Sequence, residues 1–241
     1  MLIKTRGIVF RAMKYSETSM ITDIYTEEKG MRSYLISGVR SKKAKIKASL
    51  LQIMSLVDMV AYDRHEKGLN RVKEMKAAHV YQSLPFKVEK SAVGLFLAEI
   101  ARKAIREPEE NKQLFEFLYN VFLYLDSTSQ PIGNIHLWYL LKLSTFLGFM
   151  PGGEWNEHTP FFDLQEGIFV EEPPLHAHFL KQDESRLIHE LLDLKLEEVH
   201  TFSIKREERK VLLNHLINYY RLHIENLPEI HAHIVLQEVL E

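Results

Sequence analysis

The 241-residue sequence predicts an α+β chain: a five-stranded β domain over residues 1–80, then an all-helical domain over residues 81–241 that carries an irregular insert at about 149–180. Two observations lead there. Short strand-like segments punctuated by glycine fill residues 3–80, whereas from Ser83 onward apolar residues recur at the helical period. The charge changes at the same place. Residues 1–80 hold 16 Lys and Arg against 8 Asp and Glu, and residues 81–241 hold 15 against 25. The formal charge of −2 therefore averages a basic third and an acidic remainder, and the basic third suits a polyanion.

Taken in order, Ile8, Val9 and Phe10 mark the first strand, Ile21, Ile24, Tyr25 and Thr26 the second, and Tyr34, Leu35 and Ile36 the third. An apolar-rich run from Leu50 to Tyr62 predicts the fourth, and Leu69 to Val80 the fifth. Gly7, Lys29-Gly30, Gly38 and Lys67-Gly68 punctuate them, and Glu27 to Gly30 reads as a hairpin turn in which glycine supplies a positive φ. Five short strands in so few residues point to a small barrel or sandwich. Helical stripes follow: Val93, Phe96, Leu97, Ile100, Ala101 and Ala104, then Leu114, Phe115, Leu118, Val121, Phe122 and Leu125. Ile135 to Leu147 is apolar nearly all round, which predicts the most buried helix, with Asn134 as its cap. Pro108-Glu109-Glu110 and Ser127 to Gly133 read as loops between them. Leu212, His215, Leu216, Tyr219 and Leu222 mark a long final helix with Ser203 as the expected N-cap and Glu207 and Glu208 at its positive end. From Gly148 to Phe179, Pro151-Gly152-Gly153, Pro160, Gly167 and Pro173-Pro174 forbid a helix and leave room for a hairpin at Phe161 to Val170.

Several function classes are excluded or unsupported. Hydrophobic residues at 46% and charged residues at 27% describe a globular chain. The most apolar stretch, Ile135 to Met150, is shorter than the ~20 residues of a membrane span and contains Lys142. Met1 to Arg6 lacks the apolar core of a secretory signal, so a cytoplasmic location is expected. With no cysteine there is no disulfide, thiol nucleophile or thiolate metal site. No G-x-S-x-G elbow, Walker A loop, H-E-x-x-H or G-x-G-x-x-G after a strand is present. His176-Ala177-His178 and His231-Ala232-His233 each lack a third ligand, so neither metal, cofactor nor catalytic residue is expected.

The informative segment is Ser37 to Lys47. Between Glu28 and Asp58 stand Lys29, Arg32, Arg40, Lys42, Lys43, Lys45 and Lys47, and no acidic residue. Such a run suits phosphate contacts, which release counterions without reading bases; the plain alternative is a solvated loop. Arg32 and Tyr34 alternate around Ser33 and so share one face of the third strand, an expected place for stacking beside charge. A β-rich context favours nucleic acid over a membrane surface.

Gly7-Ile8-Val9-Phe10-Arg11, Tyr15-Ser16-Glu17-Thr18-Ser19 and Ile24-Tyr25-Thr26-Glu27-Glu28-Lys29-Gly30 resemble the start of the RecO family of bacterial recombination mediators. Gly38-Val39-Arg40-Ser41-Lys42 matches its Gly-x-Arg segment, and Leu50-Leu51-Gln52 its leucine-rich strand. Leu147-Gly148-Phe149-Met150-Pro151, Tyr219-Tyr220 and Leu227-Pro228 extend the resemblance over nearly the whole chain. It implies an N-terminal OB-fold barrel and a helical C-terminal domain. It also implies single- and double-stranded DNA binding, annealing of complementary strands, engagement of the C-terminal tail of single-stranded DNA-binding protein, and loading of RecA together with RecR. Many members carry four cysteines in the insert as a zinc ribbon; Gly153 to Phe179 has none, so zinc is expected to be absent. Phe10 and Ile53 stand where the family often has leucine and proline.

The expected DNA-binding set is therefore Arg11, Lys29, Arg32, Tyr34, Arg40, Lys42, Lys43, Lys45 and Lys47. A cationic rim for the acidic, apolar tail of single-stranded DNA-binding protein is expected among Arg102, Lys103, Arg106 and Lys142. The expected function is a non-enzymatic DNA-repair mediator in the bacterial cytoplasm, associated with the nucleoid. The alternatives are an OB-fold RNA-binding or translation-related module, a hydrolase using the histidine-rich insert, and an interaction scaffold.

Overall fold

The computed structural model describes residues 1–39, 41, 44–62, 69–106 and 109–240. Arg40, Lys42, Lys43, the turn at Lys67-Gly68 and Pro108 lie outside the described residues. The described chain divides into two compact units, Met1–Thr128 and Ser129–Glu241.

The first unit is built on five strands: β1 (Leu2–Lys14), β2 (Met20–Thr26), β3 (Gly30–Ile36), β4 (Leu56–Tyr62) and β5 (Asn70–Ala77). They close into a barrel in the order β1-β2-β3-β5-β4, with only the β3–β5 pair parallel. Closure follows from the length of β1, whose first half pairs with β4 and whose second half pairs with β2, with a bulge between Val9 and Arg11 to bend it. A walk across the register from Leu2 through Tyr62, Arg71, Leu35 and Ile21 returns to β1 at Met13, the stagger that strongly tilted strands impose on a small barrel. Ile3, Val9, Ile24, Tyr34, Ile36, Val57, Met59 and Ala61 fill the interior, so the choice between barrel and sandwich is resolved in favour of the barrel.

The expected fourth strand from Leu50 is shorter than predicted. Ala48–Leu51 forms a 3-10 turn, and Met54 adopts a positive φ of 75° while its N–H donates to the Val9 carbonyl at 2.7 Å. No glycine or proline marks that break, which is why the apolar pattern alone runs through it. The hairpin turn falls where expected. Gly30 has φ +60°, and a Cβ there would collide with the Glu109 carbonyl. Gly30→Ala is expected to cost roughly 2–4 kcal/mol, from the left-handed backbone and the overlap together, read as a lower denaturant midpoint.

Helices α1 (Val88–Ala104) and α2 (Lys112–Ser127) belong to the same unit as the barrel. The side chains that place them there are on β1 and β2. Tyr25 stacks on Phe115 with ring centres 6.3 Å apart. Arg6 lies 5.0 Å from the rings of both Phe115 and Tyr119, and its guanidinium pairs with Glu27 and Glu116. The segment joining β5 to α1 is held by the buried carboxylate of Asp126, which accepts backbone N–H bonds from Gln82, Ser83 and Leu84 and a bond to His79 Nε2 at 2.9 Å. Lys90, also buried, donates to the Ser83 hydroxyl and to the Asp126 and Thr128 carbonyls. The contacts thus divide the chain after α2, while the change from strands to helices falls near residue 80.

The second unit is organised around α3 (Ile135–Phe146), with Ile135 to Leu141, Leu143 and Ser144 all buried. Around it stand α4 (Gln182–Asp193), a 3-10 turn at Leu196–Thr201, α5 (Arg206–His223) and α6 (Ala232–Val239). Polar atoms on this apolar helix find specific partners: Trp138 Nε1 donates to the Leu194 carbonyl at 2.9 Å, and the Tyr220 hydroxyl donates to the Leu140 carbonyl at 2.7 Å. Asn134 stands at the N-cap as expected, but its amide donates to the Phe202 carbonyl rather than its oxygen capping the helix. Ser203 is not the cap of α5. The helix begins after Lys205, whose N–H donates to the Glu208 carboxylate at 3.0 Å, a charged partner that suits the positive helix end.

The insert forms a three-stranded sheet of β6 (Phe161–Asp163), β7 (Ile168–Val170) and β8 (Phe179–Leu180), with β6 and β7 as the expected hairpin. Phe162 packs on Phe169 and on Tyr219 of α5, and Phe149 packs on Tyr219, Tyr220 and His223. Asp163 accepts the N–H groups of Gln165 and Glu166 and closes the hairpin turn. Among the described residues no three His, Asp or Glu side chains are grouped to hold a metal ion. A strong chelator is therefore expected to leave the melting temperature unchanged, since aromatic packing does the cross-linking; a fall of several degrees would show a structural metal.

Candidate nucleic-acid interface

The basic segment leaves β3 after Ile36 and is pinned at two points. Val39 and Ile46 are both buried in the barrel core, at 4% and 6% exposure. Between them the Ser41 hydroxyl donates to the Gly38 carbonyl at 2.8 Å, and the Ala44 N–H donates to the Ser41 carbonyl. Lys45 and Lys47 flank Ile46 and are exposed. The segment is therefore anchored at Val39 and Ile46 and turns Lys45 and Lys47 to solvent, a geometry suited to phosphate oxygens.

The remaining expected residues separate. Lys29 and Arg32 are half-buried at and just after the β2–β3 turn. Arg11 is exposed, but its guanidinium is held by Asp23 at 2.7 Å, and the same carboxylate accepts the Ser33 hydroxyl. Tyr34 does share a face with Arg32, but it is the inner face. At 1% exposure the ring is part of the barrel core and offers no surface for a base. Alternation identifies two faces without saying which is inside, and closure of the barrel decides it.

The outer face carries what the sequence reading missed. Tyr62 is 42% exposed and stands opposite Arg71, which is exposed, and Tyr15 at the β1–β2 turn is 61% exposed. The signal was present in Asn70-Arg71-Val72-Lys73, where cations alternate with residues that point inward.

Of the four cations expected to form a rim for an acidic tail, three belong to the first unit and Lys142 to the second. Arg102 and Lys103 stand in the last turn of α1 and Arg106 just beyond its end, whereas Lys142 is on α3. Lys103 is paired with Glu99, and Lys142 Nζ donates to the Leu192 carbonyl. In the second unit Arg206, Arg209 and Lys210 surround a small hollow lined by Leu213, Leu236 and Leu240. His136 lines it too. Burial, aided by repulsion from Arg209, pushes its imidazole down to about 3, so it is neutral in the cell and the charge of the hollow comes from α5.

Together these features define an OB-type barrel joined to a helical region, with one strongly basic loop on the barrel. The family model described as Recombination protein O N terminal matches residues 1–81, and that described as Recombination protein O C terminal matches residues 85–229. The chain is 38% identical over 239 residues to the DNA repair protein RecO of Phocaeicola vulgatus, covering 99% of each chain. It is 38% identical over 242 residues to that of Bacteroides fragilis, covering 100% of each, and 36% identical over 241 residues to that of Flavobacterium psychrophilum, covering 99% of each. The chain belongs to the RecO family. That membership gives it a role in DNA repair and recombination, in a family of mediators that are generally non-catalytic. Among the described residues no helix is long and apolar enough to cross a membrane.

Proposed function

We propose that this chain is a non-enzymatic recombination mediator that binds single- and double-stranded DNA through its barrel and anneals complementary strands. The observation that carries the reading is the acid-free run from Lys29 to Lys47, anchored at Val39 and Ile46 with Lys45 and Lys47 turned to solvent. The mechanism is electrostatic. Two complementary strands repel each other through their phosphates, and a loop that neutralises phosphates on both lowers that cost so the bases can pair. The reading extends to loading of RecA with RecR and to engagement of the tail of single-stranded DNA-binding protein, the steps expected of a RecO mediator. The tail reading is supported by the hollow beside α5, whose three cations and three leucines suit an acidic peptide with apolar side chains. The role belongs in the bacterial cytoplasm, at the nucleoid.

Titration of a labelled single strand at several salt concentrations tests the reading. The logarithm of affinity should fall linearly with the logarithm of salt, by about 0.7 for each phosphate neutralised. A flat salt response, or no binding at low salt, overturns it.

A further inference from the structure

One row of outward side chains on the barrel plays no part in the electrostatic reading. Met13 stands opposite Ile21, Ile21 opposite Leu35, Leu35 beside Arg71, and Arg71 opposite Tyr62. Ala12, Thr22, Tyr34, Val72 and Ala61 point into the barrel, which turns each member of the row outward. Met13 is 45% exposed and Tyr62 42%, Arg71 is exposed, and Ile21 and Leu35 are half-buried. A sheet face open to water is ordinarily polar, so a row with one aromatic and three aliphatic side chains calls for an occupant. Four steps between strands make the row about 19 Å long, the scale of a few nucleotides within the site size of one OB fold.

The charges around the row select among occupants. Arg71 sits within it, with no carboxylate in ion-pair distance among the described residues. Lys73 follows on β5, Lys14 follows Met13, and the basic loop leaves β3 one residue beyond Leu35. A polyanion with apolar flat faces meets both features. Unstacked DNA is such a ligand, whereas duplex DNA hides its base faces and presents phosphates.

We propose that this row is the element that favours single-stranded over duplex DNA, with bases lying on Tyr62, Leu35 and Ile21 and a phosphate held by Arg71. The inference rests on the DNA-binding reading above and adds to it a division of labour. The basic loop serves both forms of DNA, and the row serves only the form whose bases are free.

The test compares the full chain with its Tyr62→Ala and Tyr62→Phe variants, using an oligodeoxythymidine strand and a duplex of equal length. Tyr62→Ala should weaken single-strand binding by about five- to a hundredfold, the range for one stacked base. It should leave duplex affinity, the salt slope and the melting temperature unchanged, because no phosphate contact and no buried side chain is removed. Tyr62→Phe keeps the ring and should restore single-strand binding. If the unaltered chain binds neither form, the DNA-binding reading itself fails and takes this inference with it. If the unaltered chain binds both, and Tyr62→Ala weakens both equally or neither, the row's role alone is overturned. The same holds if Tyr62→Ala leaves DNA binding intact and abolishes binding to RecR, which would assign the row to a protein partner.

Discussion

Replacing Lys42, Lys43 and Lys45 together by alanine is expected to make the salt dependence of single-strand binding shallower by about two units, at roughly 0.7 for each lost phosphate contact. At about 0.1 M salt that change corresponds to a loss of affinity of about a hundredfold, spread evenly over sequences because phosphates carry no sequence information. Folding should be unaffected. Val39 and Ile46 hold the loop to the core and are untouched, and lysines so close together in sequence repel one another rather than stabilise. Annealing should fall in parallel, since it needs charge neutralised on both strands. A variant that melts normally and binds with unaltered affinity and slope would place the DNA site away from this loop.

Asp126→Ala is expected to cost about 3–5 kcal/mol, the largest stability effect of any single substitution considered, because it strips a buried acceptor from several donors at once. Gln82, Ser83 and Leu84 would each lose a partner for a backbone N–H, and His79 would lose its carboxylate. The melting temperature should fall by about 8–15 °C for a chain of this size. Asp126→Asn, which keeps one acceptor oxygen, should cost less. The acid response of the native protein carries the same signature. Burial raises the Asp126 pKa, but the bonds from His79 and from the Leu84, Ser83 and Gln82 N–H groups outweigh it and hold the carboxyl well below the ordinary carboxylate range. A depressed value means that the stabilisation is fully present above the unfolded carboxylate pKa of about 3.9 and is lost as pH falls through the folded value. Unfolding titrations between neutral pH and about pH 2 should show that loss in the native chain and a smaller one in Asp126→Asn. Equal acid profiles for the two would locate the acid-sensitive group elsewhere.

What the sequence by itself determined is the order of elements and the segment in which the cations concentrate. The switch from glycine-punctuated strands to a 3.6-residue period is local information, and so are the turn at Gly30, the burial of Ile135 to Leu141 and the acid-free run from Lys29 to Lys47. The tertiary structure decided everything that depends on which side of an element is inside. Alternation places Arg32 and Tyr34 on one face of β3 and Ser33 and Leu35 on the other, and either face satisfies the same pattern until the barrel closes. Closure puts Tyr34 in the core and leaves Tyr62 and Arg71, distant in sequence from the basic loop, on the exposed row beside Leu35. The insert shows the same division. Its proline and glycine residues forbid a helix, but its packing depends on Phe149 and Tyr219, which lie outside it. The compact unit that joins α1 and α2 to the barrel depends likewise on Arg6, Tyr25 and Asp126 meeting partners far along the chain. Hydrophobic periodicity constrains a residue relative to its near neighbours, whereas burial against a distant segment is set by the register and closure of the whole sheet, and no local window contains those.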